Sequence, residues 1–299
     1  MDVLVAGGTG FIGTALCETL AERGHDVTAL ARDPDPAALP SGVDAVSGDV
    51  TDSDSIDRAV AGRDAVANLV ALSPLFQTPN GVTHESVHLG GTKHLVAAAS
   101  SADVDRFLQL SGLGADPDAP TRHLRAKGRA ERVVRESDLP SVIVRPSVVF
   151  GDGSEFLSFI ELTTTPYVTA LPGGGSTRFQ PIWIGDLAPM LADALEDPDH
   201  ADGTYELGGP ERLTLADVTR LYYETRGKSV RIVPVPMTLS RLGLTLAGPI
   251  PFVPFGREQA LGLTVDNTVD ANDVPAFGRS DGDLRTLRQY LEASIDGPD

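Results

Sequence analysis

The sequence predicts an α/β fold in which a doubly wound parallel sheet is followed by a smaller C-terminal α/β lobe. Two observations support this prediction. From Asp2 to Val144, short β-branched runs alternate with stretches of helical periodicity, which is typical of βαβ units. After Gly151 this alternation gives way to segments broken by glycine and proline. We therefore expect a large sheet-forming part and a looser second part.

The elements can be predicted in chain order. In the second part, Asp186 predicts the start of a helix, as does Thr214 with Asp217 three residues later, because such side chains cap free N–H groups. Residues 204–207 resemble an edge strand that returns to the sheet, and the tail after Thr268 is expected to be peripheral. The strands predicted in the first part span residues 3–6, 26–30, 43–46, 65–70, 106–110 and 141–144.

The charge of the chain is strongly negative. Asp and Glu number 42 against 24 Lys and Arg, which gives a formal net charge of -18. Such a chain repels nucleic acid, so a nucleic-acid partner is not expected. Only three of the basic residues are lysines, and Asp exceeds Glu, as in the proteins of salt-accumulating halophiles, where salt screens the repulsion. An acidic protein of an ordinary cell is the alternative.

Three features bear on location and metals. Cys17 is the only cysteine, so a buried thiol in a reducing cytoplasm is the default interpretation. No signal peptide is indicated at the start, and the apolar stretch Leu242 to Phe255 holds three prolines and is too short to span a membrane. The six histidines show no ligand-like spacing with carboxylates or with Cys17, so no metal site is predicted. We expect a cytoplasmic protein.

A glycine-rich loop indicates the principal binding site. Gly7, Gly10 and Gly13 follow the first apolar strand directly and open a helix. In this context the first glycine permits a tight turn, the second lets the backbone approach a pyrophosphate, and the third allows close helix packing. This is the fingerprint of a Rossmann dinucleotide-binding fold. The residues assigned to the cofactor here are Gly7, Thr9, Gly10, Phe11, Ile12 and Gly13.

This interpretation divides the chain into two parts. Residues 1–152 are predicted to form the dinucleotide-binding core, with the return segment 179–207 packed on it. Residues 153–299 are predicted to form a smaller lobe that binds a substrate or a partner.

The end of the second strand bears on which dinucleotide is bound. Ala31 stands where NAD-selective proteins place a carboxylate, and Arg32 can pair with a 2′-phosphate. This favours NADP(H), with NAD(H) as the second choice; the alternative is a solvated arginine neutralised by Asp33. After the third strand, Asp49 and Val50 are assigned to the adenine, although an aspartate before a helix is often only a cap.

Several motifs carry a resemblance to known proteins over nearly the whole chain. Those at residues 7–13, 48–50, 145–151 and 205–210 resemble the extended and atypical short-chain dehydrogenase/reductases. Those at 177–182, 231–236 and 265–267 resemble more narrowly the nucleotide-binding accessory-subunit family of respiratory complex I. The narrower resemblance implies a protein that holds NADPH as a structural element.

The resemblance also implies where catalytic groups would lie. Active short-chain dehydrogenases carry a Tyr-x-x-x-Lys motif, in which the tyrosine transfers the substrate proton and the lysine lowers its pKa and binds the ribose. Here His123 stands at the tyrosine position, Lys127 is retained, and Ser111 matches the hydrogen-bonding serine. His123 either acts as a general acid or base or only fills the space of the tyrosine. His88 stands where the family has an asparagine.

Further cofactor contacts follow from the same resemblance. Asn68, Val70 and Ala71 would lie under the riboses, with Pro146 and Val148 near the nicotinamide carboxamide. Lys127 would bind the ribose hydroxyls even without chemistry.

Two functions are compatible with these residues. The first is an NADP(H)-binding protein of the complex I accessory type that is catalytically silent or slow. It would have a membrane respiratory complex as partner and lie peripherally at the inner face of the membrane. The apolar segment Leu242–Phe255 would suit docking on such a complex if it is exposed, and would only close the substrate lobe if it is buried. The alternative is an active NAD(P)-dependent reductase, or a nucleotide-sugar epimerase or dehydratase, that uses Ser111, His123 and Lys127.

Overall fold

The computed structural model describes residues 1–76, 78, 81–239, 257–262 and 264–296. The segment Leu242–Phe255, whose exposure would decide whether it docks on a partner or closes the substrate lobe, lies outside the described residues. The chain forms two compact units. The first consists of Met1–Leu72, Thr78–Pro146 and Ile184–Glu206, and the second of Ser73–Gln77, Ser147–Trp183 and Leu207–Asp299.

Strands and helices alternate through most of the chain. The strands are β1 (Asp2–Ala6), β2 (Asp26–Ala31), β3 (Val43–Ser47), β4 (Ala65–Asn68), β5 (Arg106–Leu110), β6 (Ser141–Pro146), β7 (Val149–Phe150), β8 (Tyr167–Pro172), β9 (Arg178–Phe179), β10 (Ile182–Trp183), β11 (Thr204–Leu207), β12 (Leu213–Thr214) and β13 (Val230–Val235). The helices are α1 (Phe11–Glu22), α2 (Ser53–Val60), α3 (Gly91–Ser101), α4 (Arg122–Arg135), α5 (Glu155–Thr163), α6 (Ile184–Glu196), α7 (Leu215–Glu224), α8 (Arg257–Gly262) and α9 (Leu287–Asp296). A π-helix, π1 (Glu85–Gly90), leads directly into α3.

A seven-stranded sheet organises the first unit. Its order is β3-β2-β1-β4-β5-β6-β11, and the neighbouring strands from β1 to β6 pair in parallel. The predicted doubly wound parallel sheet is confirmed, including the return strand at residues 204–207. The strand order reverses between β1 and β4, and the crevice at such a switch point is where α/β sheets bind ligands.

The core of the first unit explains why these segments form strands. In β1, Val3, Leu4, Val5 and Ala6 are all fully buried, because helices cover both faces of a parallel sheet. Side chains from α2, α3 and α4 pack on one face of the sheet in a continuous apolar cluster. The helix α1 contributes Cys17, which is buried as predicted.

The second unit has its own core. Its small sheets pair β7 with β10, β9 with β12 and β8 with β13. The helix α7 begins at a capping box of Thr214 and Asp217, as predicted. The expectation of a peripheral tail is wrong, because Leu287, Tyr290 and Leu291 of α9 are buried in this core. No helix among the described residues is long and apolar enough to cross a membrane.

Candidate nucleotide-binding site

The loop after β1 turns tightly back onto the strand. Gly7 has a φ of 83°, in the left-handed region that glycine adopts without strain, and its N–H donates to the Leu30 carbonyl at 2.9 Å. A side chain at Gly13 would place Cβ 2.1 Å from the carbonyl oxygen of Gly7. Only glycine therefore lets α1 begin this close to the end of β1.

The first turn of α1 has the features of an anion-binding site. Gly10 is its N-cap, and no side chain caps this helix. The amides of Phe11, Ile12 and Gly13 belong to the turn whose N–H groups lack helical partners, and the positive end of the helix dipole lies there. Thr9 and Gly10 are exposed. These residues fit a dinucleotide pyrophosphate, which backbone N–H groups at a helix start bind through its oxygens.

The ends of β2 and β3 form the neighbouring part of the site. Arg32 is exposed, and its carbonyl accepts a hydrogen bond from the Ser47 hydroxyl at 2.9 Å. One carboxylate oxygen of Asp49 accepts hydrogen bonds from the Thr51 amide and hydroxyl, both at 2.8 Å. These bonds and the charge of Arg32 hold the pKa of Asp49 below its usual range. Val50 is buried. An exposed guanidinium at the end of β2 fits a 2′-phosphate.

The side chain of Asn68, at the end of β4, makes its hydrogen bonds within the protein interior. Its side-chain amide donates to Thr92 Oγ1 and to Gln109 Oε1, both at 3.0 Å, and its carbonyl oxygen accepts from the Val70 amide at 3.3 Å. The side chain is buried. Its role in the described structure is therefore to hold the shape of the turn after β4.

That turn lies directly beside the glycine loop. A Cβ at Gly7 would approach the Leu69 carbonyl carbon and the Val70 nitrogen to 3.0 Å. Val70 is half-buried, whereas Ala71 is exposed. The switch point of the sheet thus brings together the two loops that the sequence assigns to the pyrophosphate and the riboses.

Lys127 lies buried against the end of β5. Its ammonium group donates to the carbonyl oxygens of Leu110 at 3.1 Å and Ser111 at 2.9 Å. Burial lowers the pKa of Lys127 to about 8, although the carboxylate of Glu131 opposes this shift. The Ser111 side chain is also buried, and its Oγ has no hydrogen-bond partner among the described residues. The structure thus brings together two of the three predicted catalytic residues.

The third predicted catalytic residue, His123, lies one helical turn before Lys127 and contacts two other histidines. Its ring centroid is 5.1 Å from those of both His84 and His88, and both contacts are edge-to-face. Burial and the charge of Lys127 hold the pKa of His88 and of His123 well below the usual 6.5. Both rings are therefore neutral at pH 7, so neither donates a proton readily.

Pro146 and Val148 fall in different units. Pro146 is buried in the first unit, where its carbonyl accepts from the Leu113 amide at 3.3 Å. Val148 belongs to the second unit, and its amide donates to Asn267 Oδ1 at 2.8 Å.

Two features of the site were missed by the sequence analysis. The Glu131 carboxylate, one turn after Lys127 and nearly inaccessible, accepts hydrogen bonds from Arg145 at 2.7 and 2.8 Å. The histidine cluster could not be predicted from ligand-like spacing, because its histidines show no such spacing with carboxylates or with Cys17. The four-residue spacing of His84 and His88 was the available signal, since it puts both rings on one face of a helix.

Comparison with known proteins agrees with this geometry. A sequence profile described as NAD(P)H-binding matches residues 7–180. The mitochondrial NADH dehydrogenase (ubiquinone) 1 alpha subcomplex subunit 9 of Arabidopsis thaliana is 30% identical over 90% of this chain and 71% of its own length. The NADH-ubiquinone oxidoreductase 40 kDa subunit of Neurospora crassa is 29% identical over 78% of this chain. This chain spans only 62% of that fungal subunit.

An enzyme and a solved structure are also similar. The NAD(P)H azoreductase of Xenophilus azovorans is 28% identical over 82% of this chain and 81% of its own length. The human epimerase family protein SDR39U1, solved with NADPH, superposes with a TM-score of 0.73 at 25% identity, covering 100% of both chains. The glycine loop and the matched profile both indicate dinucleotide binding. The chain therefore belongs to the NAD(P)H-binding family, as an atypical short-chain dehydrogenase/reductase close to these NADH dehydrogenase subunits.

Proposed function

We propose that this protein binds NADP(H) and holds it with little or no turnover, as a structural or redox-reporting element. One observation carries the proposal: His123 occupies the position of the proton-transferring tyrosine, four residues before Lys127. Its pKa lies well below 6.5 because of burial and the Lys127 charge, so the ring is neutral at pH 7 and a poor proton donor. Lys127 and the glycine loop can still bind the cofactor.

Cofactor choice depends on Arg32 in this proposal. The guanidinium is exposed directly after β2, where it can form a charge-assisted pair with a 2′-phosphate. NADPH would therefore bind more tightly than NADH. The NADPH bound in the similar human protein supports this choice.

The proposed partner is a membrane respiratory complex. The support is the similarity to two proteins named as NADH dehydrogenase subunits. The protein would lie peripherally at the inner face of the membrane. The nucleotide would stabilise its fold while the protein is bound to the respiratory complex. Tight binding of a ligand to the folded state alone stabilises it by about 3 kcal/mol at a hundredfold excess over Kd.

A second candidate function is an active NAD(P)H-dependent reductase. The azoreductase relative, similar over four fifths of both chains, favours it. The buried Ser111 Oγ, which has no hydrogen-bond partner within the described residues, could bind a substrate oxygen. In this version His123 or Ser111 would have to support proton transfer.

The two functions are separated by measuring binding and turnover on the same sample. NADPH and NADH are titrated by fluorescence at high KCl, and oxidation is then followed with carbonyl, quinone, azo and nucleotide-sugar substrates. We expect tight NADPH binding without turnover, whereas turnover that disappears in Lys127→Ala would establish the reductase.

Arg32→Glu tests cofactor choice within the same titration. Because a hydrogen bond to a charged group contributes about 1.5 to 3 kcal/mol, the variant should weaken NADPH binding about tenfold to a hundredfold and leave NADH unchanged. Arg231→Glu makes the same charge change in the second unit and should bind both cofactors like the wild type. An unchanged NADPH affinity in Arg32→Glu would refute the 2′-phosphate contact.

A further inference from the structure

Three histidines meet in the first unit although 35 residues separate two of them in the chain. His84 precedes π1, His88 lies within it, and His123 comes from α4. The rings of His84 and His88 are stacked at 5.4 Å with an interplanar angle of 15°, and His123 meets both rings edge-on. One potential ligand nitrogen from each ring lies within 4.8 Å of the other two.

Two of these histidines, His88 and His123, have a ring nitrogen that the described residues bind weakly or leave without a hydrogen bond. The Nδ1 atom of His123 is inaccessible and has no hydrogen-bond partner among the described residues. On His88, Nε2 accepts only a long hydrogen bond of 3.4 Å from the Leu72 amide. Leaving a buried polar atom unsatisfied costs about 1 to 3 kcal/mol, so a ligand that accepts this lone pair would be favoured.

The spacing of the nitrogens suits a metal ion after a small contraction. Zinc binds imidazole nitrogen at about 2.0 to 2.1 Å, so tetrahedral ligands lie about 3.3 Å apart. Closing a triangle with sides of at most 4.8 Å to that size moves each nitrogen inward by less than about 1 Å. A π-helical turn, as found at His88, is often associated with functional sites.

From this geometry we infer that His84, His88 and His123 bind a divalent transition-metal ion, with zinc as the best match. Three imidazole ligands without a carboxylate suit zinc and its neighbours in the first transition row, whereas magnesium and calcium require oxygen ligands. The positive charge of Lys127, which acts on both His88 and His123, opposes any cation there. This positive charge therefore further disfavours ions that imidazole binds only weakly, such as magnesium and calcium.

The site would leave one coordination position open. Structural zinc sites use four protein ligands, whereas three protein ligands and an exchangeable one are typical of zinc that binds water or a substrate oxygen. The cluster includes the residue at the tyrosine position, so its open position would face an oxygen ligand such as a carbonyl or a carboxylate. This inference does not depend on the proposed function, because metal binding can be measured without any dinucleotide.

The test measures metal binding to the full chain after removal of any affinity tag. Metal-free protein is titrated with zinc chloride by calorimetry, and cobalt(II) is added to a second sample to record the visible absorption of a four-coordinate ion. The variants are His84→Gln, His88→Gln and His123→Gln. His94→Gln is the matched control, since His94 is a partly buried histidine outside the cluster that contacts the Val50 carbonyl. Circular dichroism verifies folding.

One zinc ion per chain is expected in the wild type and in His94→Gln. Replacing a second-sphere partner of a metal already costs 10- to 100-fold in affinity, so losing a ligand should weaken binding at least about a hundredfold. If His88→Gln fails to fold, the two half-buried positions, His84 and His123, decide the outcome. No metal binding by the wild type, or binding unchanged in both of these variants, would overturn the inference.

Discussion

Lys127 is expected to destabilise the folded protein at neutral pH. Its pKa falls from the usual 10.5 to about 8 because the ammonium is buried. A shift of this size corresponds to about 3 kcal/mol of unfavourable free energy for the charged form. Below pH 8 the folded and unfolded chains both carry the proton, and the penalty is fully present. It is lost as the pH rises from 8 towards 10.5, because the unfolded chain then binds more protons than the folded one.

Lys127→Met should remove this dependence. Urea or guanidinium unfolding of both proteins at pH 7 and pH 10 measures the free energy of unfolding, and its change with pH is compared between them. Relative to the variant, the wild type should gain about 2 to 3 kcal/mol over this range. The contributions of other groups that titrate in both proteins cancel in this comparison of the two pH dependences. The variant's absolute stability is less informative, because the substitution also leaves the Leu110 and Ser111 carbonyls without their donor.

Lys228→Met provides the matched control, because Lys228 is exposed. It should follow the pH dependence of the wild type. Equal pH dependence in the wild type and Lys127→Met would refute the conclusion that a charged lysine is buried beside Ser111.

Three further outcomes follow from the described structure. Gly13→Ala forces Cβ against the Gly7 carbonyl, so the free energy of unfolding, measured thermally and chemically, should fall by about 1 to 3 kcal/mol. Gly262→Ala is the control, because a Cβ there meets open space, and its free energy of unfolding should not fall. Cys17, buried and with a pKa raised to about 12, should resist alkylation at pH 8 until the protein is unfolded; rapid labelling of the folded protein would contradict its burial. Because of the net charge of -18, the unfolding temperature should rise with KCl, and a flat or falling dependence would argue against a salt-adapted protein.

The sheet was predictable because its signals are local. Residues 3–6 and 65–67 are uninterrupted apolar runs, and the glycine loop combines a strand end, a turn and a helix start within about a dozen residues. The fourth strand is shorter than predicted, ending at Asn68 rather than at residue 70. Its end turns away because the Asn68 side chain binds the Val70 amide.

The second unit could be predicted only in part, because its core depends on distant contacts. The tail contains many Asp and Gly residues, yet Leu287, Tyr290 and Leu291 recur on one face of α9 and are buried. The Tyr290 hydroxyl also donates to the Asp152 carboxylate at 2.5 Å, across 138 residues of sequence. Composition alone could not indicate a partner so far away in the chain.

The candidate site divides in the same way. The pyrophosphate loop and Arg32 follow from short motifs, whereas the histidine cluster depends on the packing of π1 against α4. The resemblance to a family indicated His123 as a departure from its pattern, but the neutral state of the ring follows only from its burial beside Lys127. Function at this site is therefore set by tertiary surroundings that the motif does not contain.

We propose that the protein binds NADP(H) but lacks the proton donor needed to turn it over. The most direct test compares NADPH oxidation by the wild type and by His123→Tyr, which restores the Tyr-x-x-x-Lys spacing with Lys127. Both are assayed at high KCl on the same substrates, after NADPH binding has been demonstrated for each. We predict no turnover by the wild type and measurable turnover by His123→Tyr. Turnover by the wild type that is lost in His123→Ala would contradict the claim.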